Sequence, residues 1–326
     1  MSLGFMKNTQ AMLRNWIDNG VVNICGSGAR VSGTGSASTG KGVCGIGSTY
    51  TNTVTGVVYF NEGTALSPYW TPINLAHPSL LSWFSDFRDG VGKAIADTAA
   101  TVTIPGSGIR VFGQGIAETD SGFTVAIGED GPIGSLITTD EDAHLAALGV
   151  GITTSVPFQP DTHGPLVIDV LISMSSAITL RRLFCGFLGT AADALDPPAT
   201  GATTVITLVQ DDLAGLFMDS IMTAASRLFA PHNKSDEAAT IATTAAGVDT
   251  GVNLATAGTY QRLRVEISAA GVMTCFIDKA QVTQIEAALD VDEEVAPVLL
   301  VGSTSTATKT MLVKRFAAWG NRRSLL

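Results

Sequence analysis

A mainly β fold, an antiparallel two-sheet β-sandwich preceded by an N-terminal arm, is what this sequence predicts. Three observations carry that expectation. From residue 152 onward, short apolar runs recur at the spacing of a sandwich, among them "PLVIDVLISM", "TLRRLFCGFLG", "TTVITLVQ", "VAPVLLVGS" and "TMLVKRFAAW". Within that region "LRVEISAAGVMTCFID" reads as a hairpin turned by Ala270-Gly271. The 326 residues are 45% hydrophobic and only 15% charged, enough for a sizeable core, and such sandwiches commonly run to about 200 residues or more as one domain.

The arm covers residues 1–97. Residues 1 to about 20 form an amphipathic helix by pattern, with Met6, Leu13, Trp16 and Ile17 on one side and Gly20 as its stop. "CGSGARVSGTGSASTGKG", residues 25–42, has the composition of a flexible linker. Gly35, Gly40 and Lys41 have the spacing of a phosphate loop. Gly42 stands where the magnesium-holding hydroxyl belongs, however, and Val43-Cys44-Gly45-Ile46-Gly47 cannot open a stable helix, so a nucleotide site is rejected. "GSTYTNTVTGVVYFNEGTALSPYW", Gly47 to Trp70, is a short β-meander. It turns at Val54-Thr55-Gly56-Val57 and at Asn61-Glu62-Gly63, and Pro68 precedes Trp70. So small a unit cannot bury Tyr50, Tyr59 and Trp70 alone. "HPSLLSWFSDFRDG" reads as a short helix from Pro78 to about Arg88, with Leu80, Leu81, Phe84 and Phe87 on one face.

The sandwich takes residues 98–326. Its first strands are Thr101 to Ile104, "GIRVFGQGI", "FTVAIG" and "GSLITT", each closed by Gly, Asp or Pro. "TDEDAHLAALG" reads as a single helix with Thr139 as N-cap, acids in the first turn and Gly149 past the end, and it makes His144 a surface or packing residue. "DDLAGLFMDSIMTAASRLFAPHNK" matches a helical period at Leu213, Leu216, Phe217, Ile221, Ala224 and Leu228, but Gly215 and the strands around it favour strands here too.

Composition excludes several classes of function. A net charge of −10 argues against nucleic-acid binding, which needs a basic footprint. No run of 18 apolar residues spans a bilayer, and the N-terminus lacks the pattern of a signal peptide. Low charge with a mean hydropathy of +0.31 suggests that much of the surface is covered by other protein chains. From Val111 to Leu180 there is no Lys or Arg, while Glu118, Asp120, Glu129, Asp130, Asp140, Glu141, Asp142, Asp161 and Asp169 fall there. Lys309, Lys314, Arg315, Arg322 and Arg323 gather at the other end. This is either a solvated acidic face or head-to-tail complementarity between copies.

Candidate chemistry is sparse. Cys25, Cys44, Cys185 and Cys275 have no CxxC spacing and read as small buried hydrophobes. Glu266 and Asp278 sit on adjacent strands, but without the repeated acids of a glycosidase, whose two carboxylates converge about 5 to 10 Å apart. His77, His144, His163 and His232 have no Gly-x-Ser-x-Gly serine to serve. His232, Asn233, Asp236 and Glu237 in "PHNKSDE" read as a polar turn rather than a cation loop. No catalytic, cofactor-binding or metal-ligating residue is assigned.

Two stretches resemble known proteins. The Gly47–Trp70 stretch, with its Gly-x-x-Tyr, Gly-x-x-Tyr-x-Asn-x-Gly and Pro-x-Trp pattern, resembles a module near the N-termini of tailed-bacteriophage virion proteins. Residues 98–320, with "RVFGQGIAETDSG", "RRLFCGFLG" and "FAAWG", resemble bacteriophage capsid decoration (head cement) proteins with a concanavalin-like jelly roll. The resemblance implies a non-enzymatic virion protein, trimeric, made in the host cytoplasm. It would project from the capsid surface and be anchored on the major capsid protein through its N-terminal part. Trp16, Tyr50, Tyr59 and Trp70 are then the expected docking residues. A tail-associated receptor-binding protein whose jelly roll grips glycan is the alternative, and a polysaccharide-degrading enzyme the third.

Overall fold

The structure, a computed structural model, describes residues 30–33, 44–52, 55–88, 94–95, 102–104, 107–112, 122–129, 131–138, 145–151, 157–175, 179, 181–189, 197–234, 240–304 and 308–322. The helix expected over residues 1–20, Trp16, Cys25 and most of the linker lie outside them. The chain divides into two compact units, residues 1–80 with 324–326 and residues 81–323. The boundary expected after residue 97 therefore sits inside the second unit. Ala94–Ile95 and all but the first residue of Leu80–Ser85 belong to that unit.

The first unit is a four-stranded sheet of β1 (Arg30–Gly33), β2 (Thr49–Asn52), β3 (Val58–Asn61) and β4 (Trp70–Pro72), in that order. β2, β3 and β4 are the expected meander, with antiparallel neighbours Tyr50 opposite Tyr59 and Asn61 opposite Trp70. β1, inside the linker composition, runs parallel to β2. The first turn closes because the Asn52 side chain accepts the Thr55 amide at 3.1 Å and Gly56 adopts φ 72, a left-handed conformation that only glycine takes without strain.

The second unit is an antiparallel β-sandwich. From edge to edge, its first sheet runs Ala280–Ile285, Met273–Ile277, Gln261–Ile267, Leu166–Met174, Thr310–Asn321, Gly131–Ile137, Gly122–Gly128 and Ala94–Ile95. Leu80–Ser85 also pairs with Thr310–Asn321. Its second sheet runs Asp249–Asn253, Arg227–Phe229, Leu213–Asp219, Arg181–Leu188, Ala296–Ser303, Leu145–Gly149, Arg110–Phe112 and Val102–Thr103. Alternation builds the core between them. Leu166, Ile168, Val170 and Ile172 from one sheet meet Leu183, Cys185, Phe187, Leu299 and Val301 from the other, all essentially without exposure. Among the described residues, helix is reduced to one turn, Pro160–His163.

A third layer lies outside the second sheet. The strands Ala199–Ala202, Val205–Leu208 and Thr240–Ala242 form a small sheet of their own. Ile206, Leu208 and Ala199 pack with Phe184, Leu188, Leu213, Phe217, Val298 and Leu300 in a second apolar cluster. Asp219 ties the layers, pairing with Arg182 at 2.9 Å while accepting the Gly201 amide at 2.9 Å.

Two expected helices are strands. Leu145–Gly149 stands between Ala296–Ser303 and Arg110–Phe112, because Ala146 and Leu148 face the main core while Leu145 and Ala147 face the second cluster. With both faces buried, the apolar spacing loses its period of two and imitates a helix. Thr139 and His144, the rest of that expected helix, lie outside the described residues. Leu80–Ser85 is a strand rather than part of a Pro78–Arg88 helix. Leu81 and Trp83 pack toward the core, while between them and beyond Ser82 is half-buried and Phe84 is 41% exposed. Leu213–Asp219 and Arg227–Phe229 are strands, as their neighbours suggested.

Candidate docking site

The meander holds its aromatic residues through one amide. Asn61, without solvent exposure, donates from Nδ2 to the Cys44 and Gly45 carbonyls at 2.6 and 3.1 Å. It accepts the Gly63 and Tyr69 amides at Oδ1, at 2.9 and 2.7 Å. Every polar atom of the side chain is satisfied, so a buried amide that would otherwise be costly becomes a knot joining three segments. Gly63 is required beside it, since a Cβ there would press on the Ser67 carbonyl and lie 2.8 Å from Tyr69 Cβ.

Tyr50, Tyr59 and Trp70 are 3%, 7% and 5% exposed. Tyr50 stacks tilted on Tyr59 and on Trp70, at centroid distances of 5.6 and 5.7 Å. Burial, with Tyr59 beside it, pushes the Tyr50 phenol up. The same strand presents an opposite face: Val58 and Phe60 alternate with Tyr59 and are 38% and 39% exposed. Ile73, whose amide binds the Val58 carbonyl at 2.9 Å, is 62% exposed. Ile46 and Leu66 are also exposed in this unit. The sequence pointed to the large aromatics and passed over Val58, Phe60 and Ile73. The signal that could have found them is "VYFN", where both alternating sets contain apolar residues.

The carboxylates of the sandwich are engaged in the fold. On the outer face of the first sheet, Asp169 has no exposure and receives Arg262 in a two-pronged pair at 2.9 and 2.7 Å. Arg315 and Arg264 stand at 3.9 and 4.0 Å. Burial by itself would raise the Asp169 carboxyl, but the Arg262 hydrogen bond and the charges of Arg315, Arg262 and Arg264 hold it below its ordinary value. Arg264 also binds Glu266 at 2.5 Å and lies 5.1 Å from the Trp319 ring centroid. Burial pushes Glu266 up, against the pull of Arg264. Asp169 from the acidic middle and Arg315 from the basic end therefore meet within one chain.

Glu266 and Asp278 do not converge. Asp278 Oδ1 accepts the Arg262 amide at 2.9 Å, four residues along the strand from Glu266, a separation of roughly 13 Å. His232 and Asn233 form a short strand, His232–Asn233, whose Asn233 Nδ2 donates to the Gln210 carbonyl at 3.2 Å. Asp236 and Glu237 lie outside the described residues. Among the described residues no three His, Cys, Asp or Glu side chains gather as a metal site, and no helix is long and apolar enough to cross a membrane. Cys44, Cys185 and Cys275 are buried free thiols, and burial pushes Cys185 and Cys275 up.

No protein-family model and no curated protein matches the chain. Solved structures with similar shape exist. The carbohydrate recognition domain of Emp47p is 10% identical with a TM-score of 0.43, covering 74% of this chain and 97% of that one. Peanut lectin is 9% identical with a TM-score of 0.42, again over 74% and 97%. A carbohydrate esterase from Shiga toxin-encoding bacteriophage phi24B is 12% identical with a TM-score of 0.40, over 74% and 97%. Likeness this distant leaves the description of the sandwich to its own strands and registers.

Proposed function

We propose that this chain is a non-enzymatic structural protein of a tailed-bacteriophage particle, decorating the capsid as a homotrimer and seated on the major capsid protein. The observation that carries the proposal is the apolar outer face of the meander, where Val58, Phe60 and Ile73 are exposed while Tyr50, Tyr59 and Trp70 fill the inner face. Contiguous exposed apolar residues on a rigid sheet mark a protein–protein surface. In this reading the inner aromatics and Asn61 keep the sheet stiff, and Val58, Phe60 and Ile73 make the contact. The engagement of Asp169, Glu266 and Asp278 in the fold supports a role without chemistry.

The test is Phe60→Ser combined with Ile73→Ser, added to particles lacking the protein. Both side chains are exposed, so the fold survives, and losing two large apolar contacts weakens attachment by about a hundredfold or more. Occupancy equal to wild type, counted on particles by electron microscopy, overturns the assignment of this face.

A further inference from the structure

On the outer face of the first sheet one guanidinium is left over. Arg262 grips both carboxylate oxygens of Asp169, and Arg264 binds Glu266. Arg315 faces Arg262 across Leu171 and stands 3.9 Å from Asp169, but its guanidinium makes no hydrogen bond with any described residue. Its Nε is shut off from solvent, while the side chain as a whole is 24% exposed. A guanidinium carries five N–H donors, and leaving them unfilled where water reaches only some of them is costly. The Phe84 ring lies beside it, its centroid 5.7 Å from the guanidinium carbon, and Phe84 is itself exposed. Together they present an open cation next to an open ring.

We propose that Arg315 and Phe84 receive the acidic loop 290–294 of a second copy of this chain, a contact that rests on the homotrimer reading above and gives it an interface. In that loop Asp292 and Glu294 are exposed, and neither they nor Glu293 pairs with a cation among the described residues. Val291, next to Asp292, is 36% exposed. Carboxylates beside an apolar side chain complement a guanidinium beside a ring, charge to charge and apolar to apolar. The loop is also held in place, because the Val291 carbonyl accepts the Asp161 amide at 2.9 Å and the Asp292 carbonyl accepts Gln159 Nε2 at 2.7 Å. Little ordering is then lost on contact. Within one chain the two surfaces stand apart. Arg315 is opposite Leu171, whereas the loop is tied to Gln159 and Asp161, ahead of Leu166. Leu166 to Leu171 alone spans roughly 17 Å of strand. The contact therefore runs head to tail between copies, the kind that closes into a ring.

The experiment is a cycle of neutralising variants of the full chain, with self-association read by light scattering and sedimentation. The wild-type chain is expected to associate, and more weakly as salt screens the charges. Asp292→Asn with Glu294→Gln alters only exposed side chains and is expected to weaken association about tenfold or more. Arg315→Met keeps an apolar stem against Phe84 and is expected to act alike. Joining both sets is expected to cost no more than the larger loss alone, because each removes the same contact. A trimer that ignores the variants or the salt overturns this interface and leaves the homotrimer standing. Losses that simply add overturn it too. A wild-type monomer at micromolar concentration overturns the interface and the homotrimer together. The Phe60 and Ile73 variant reports separately on attachment to particles.

Discussion

Asp169 is a carboxylate without solvent exposure, kept ionised by the guanidinium of Arg262 and the nearby charges of Arg315 and Arg264. Removing its charge takes away the carboxylate that Arg262 grips and that Arg315 and Arg264 share, the last also paired with Glu266, so Asp169→Asn is expected to cost about 3 to 5 kcal/mol at neutral pH by denaturant unfolding. The pH dependence has a definite sign. The folded value lies below the unfolded one, so the stabilisation is complete above the unfolded carboxylate range, about pH 4, and is lost as pH falls toward the folded value. Glu266 has the opposite sign: its folded value is raised, so ionising it costs stability, and acid relieves that cost. The gap between wild type and Asp169→Asn should therefore narrow in acid while the Glu266 contribution remains in both. A gap that stays constant from pH 7 to strong acid contradicts this account of Asp169.

At the scale of elements, the meander and the central strands follow different rules. The meander depends on a few large side chains, and Trp70→Ala removes one of three that touch. A loss of about 3 to 5 kcal/mol in the stability of this unit is expected, read by thermal unfolding of the full chain. A change within error would show that Tyr50 and Tyr59 hold the face alone. The meander was legible because Gly56, Asn61 and Gly63 punctuate it and each has a backbone duty that few residues perform. Leu145–Gly149 was not legible as a strand, because Ala146 with Leu148 and Leu145 with Ala147 satisfy two apolar layers and erase the polar half of the pattern. Leu80–Ser85 failed for a related reason, since Leu80, Leu81 and Phe84 fit a helical stripe although only Leu81 and Trp83 pack toward the sandwich core. Gly186 and Gly215 face each other on adjacent strands. A Cβ on Gly186 would lie 2.5 Å from Gly215 Cα, a close approach that strand patterning alone does not announce.

For the whole molecule, light scattering at micromolar concentration is expected to give three times the monomer mass, and a stable monomer there contradicts the proposed homotrimer. The class of fold was readable because strand alternation survives in most of residues 166–321, as in Gln261–Ile267 and Met273–Ile277. The division into two units was read too late in the chain, because Leu80–Ser85 and Ala94–Ile95 carry too few residues to declare their sheet. The exposed apolar set Val58, Phe60 and Ile73 was hidden for another reason: its members are ordinary one by one and distinctive only when the sheet brings them together. The third layer carries a consequence for persistence. The second sheet has no wet side along its central strands, so solvent must strip an apolar layer before it can reach their amides. Arg181–Leu188, Leu213–Asp219 and Ala296–Ser303 are therefore expected to be among the slowest strands to open, with their amides the last to exchange with deuterated water.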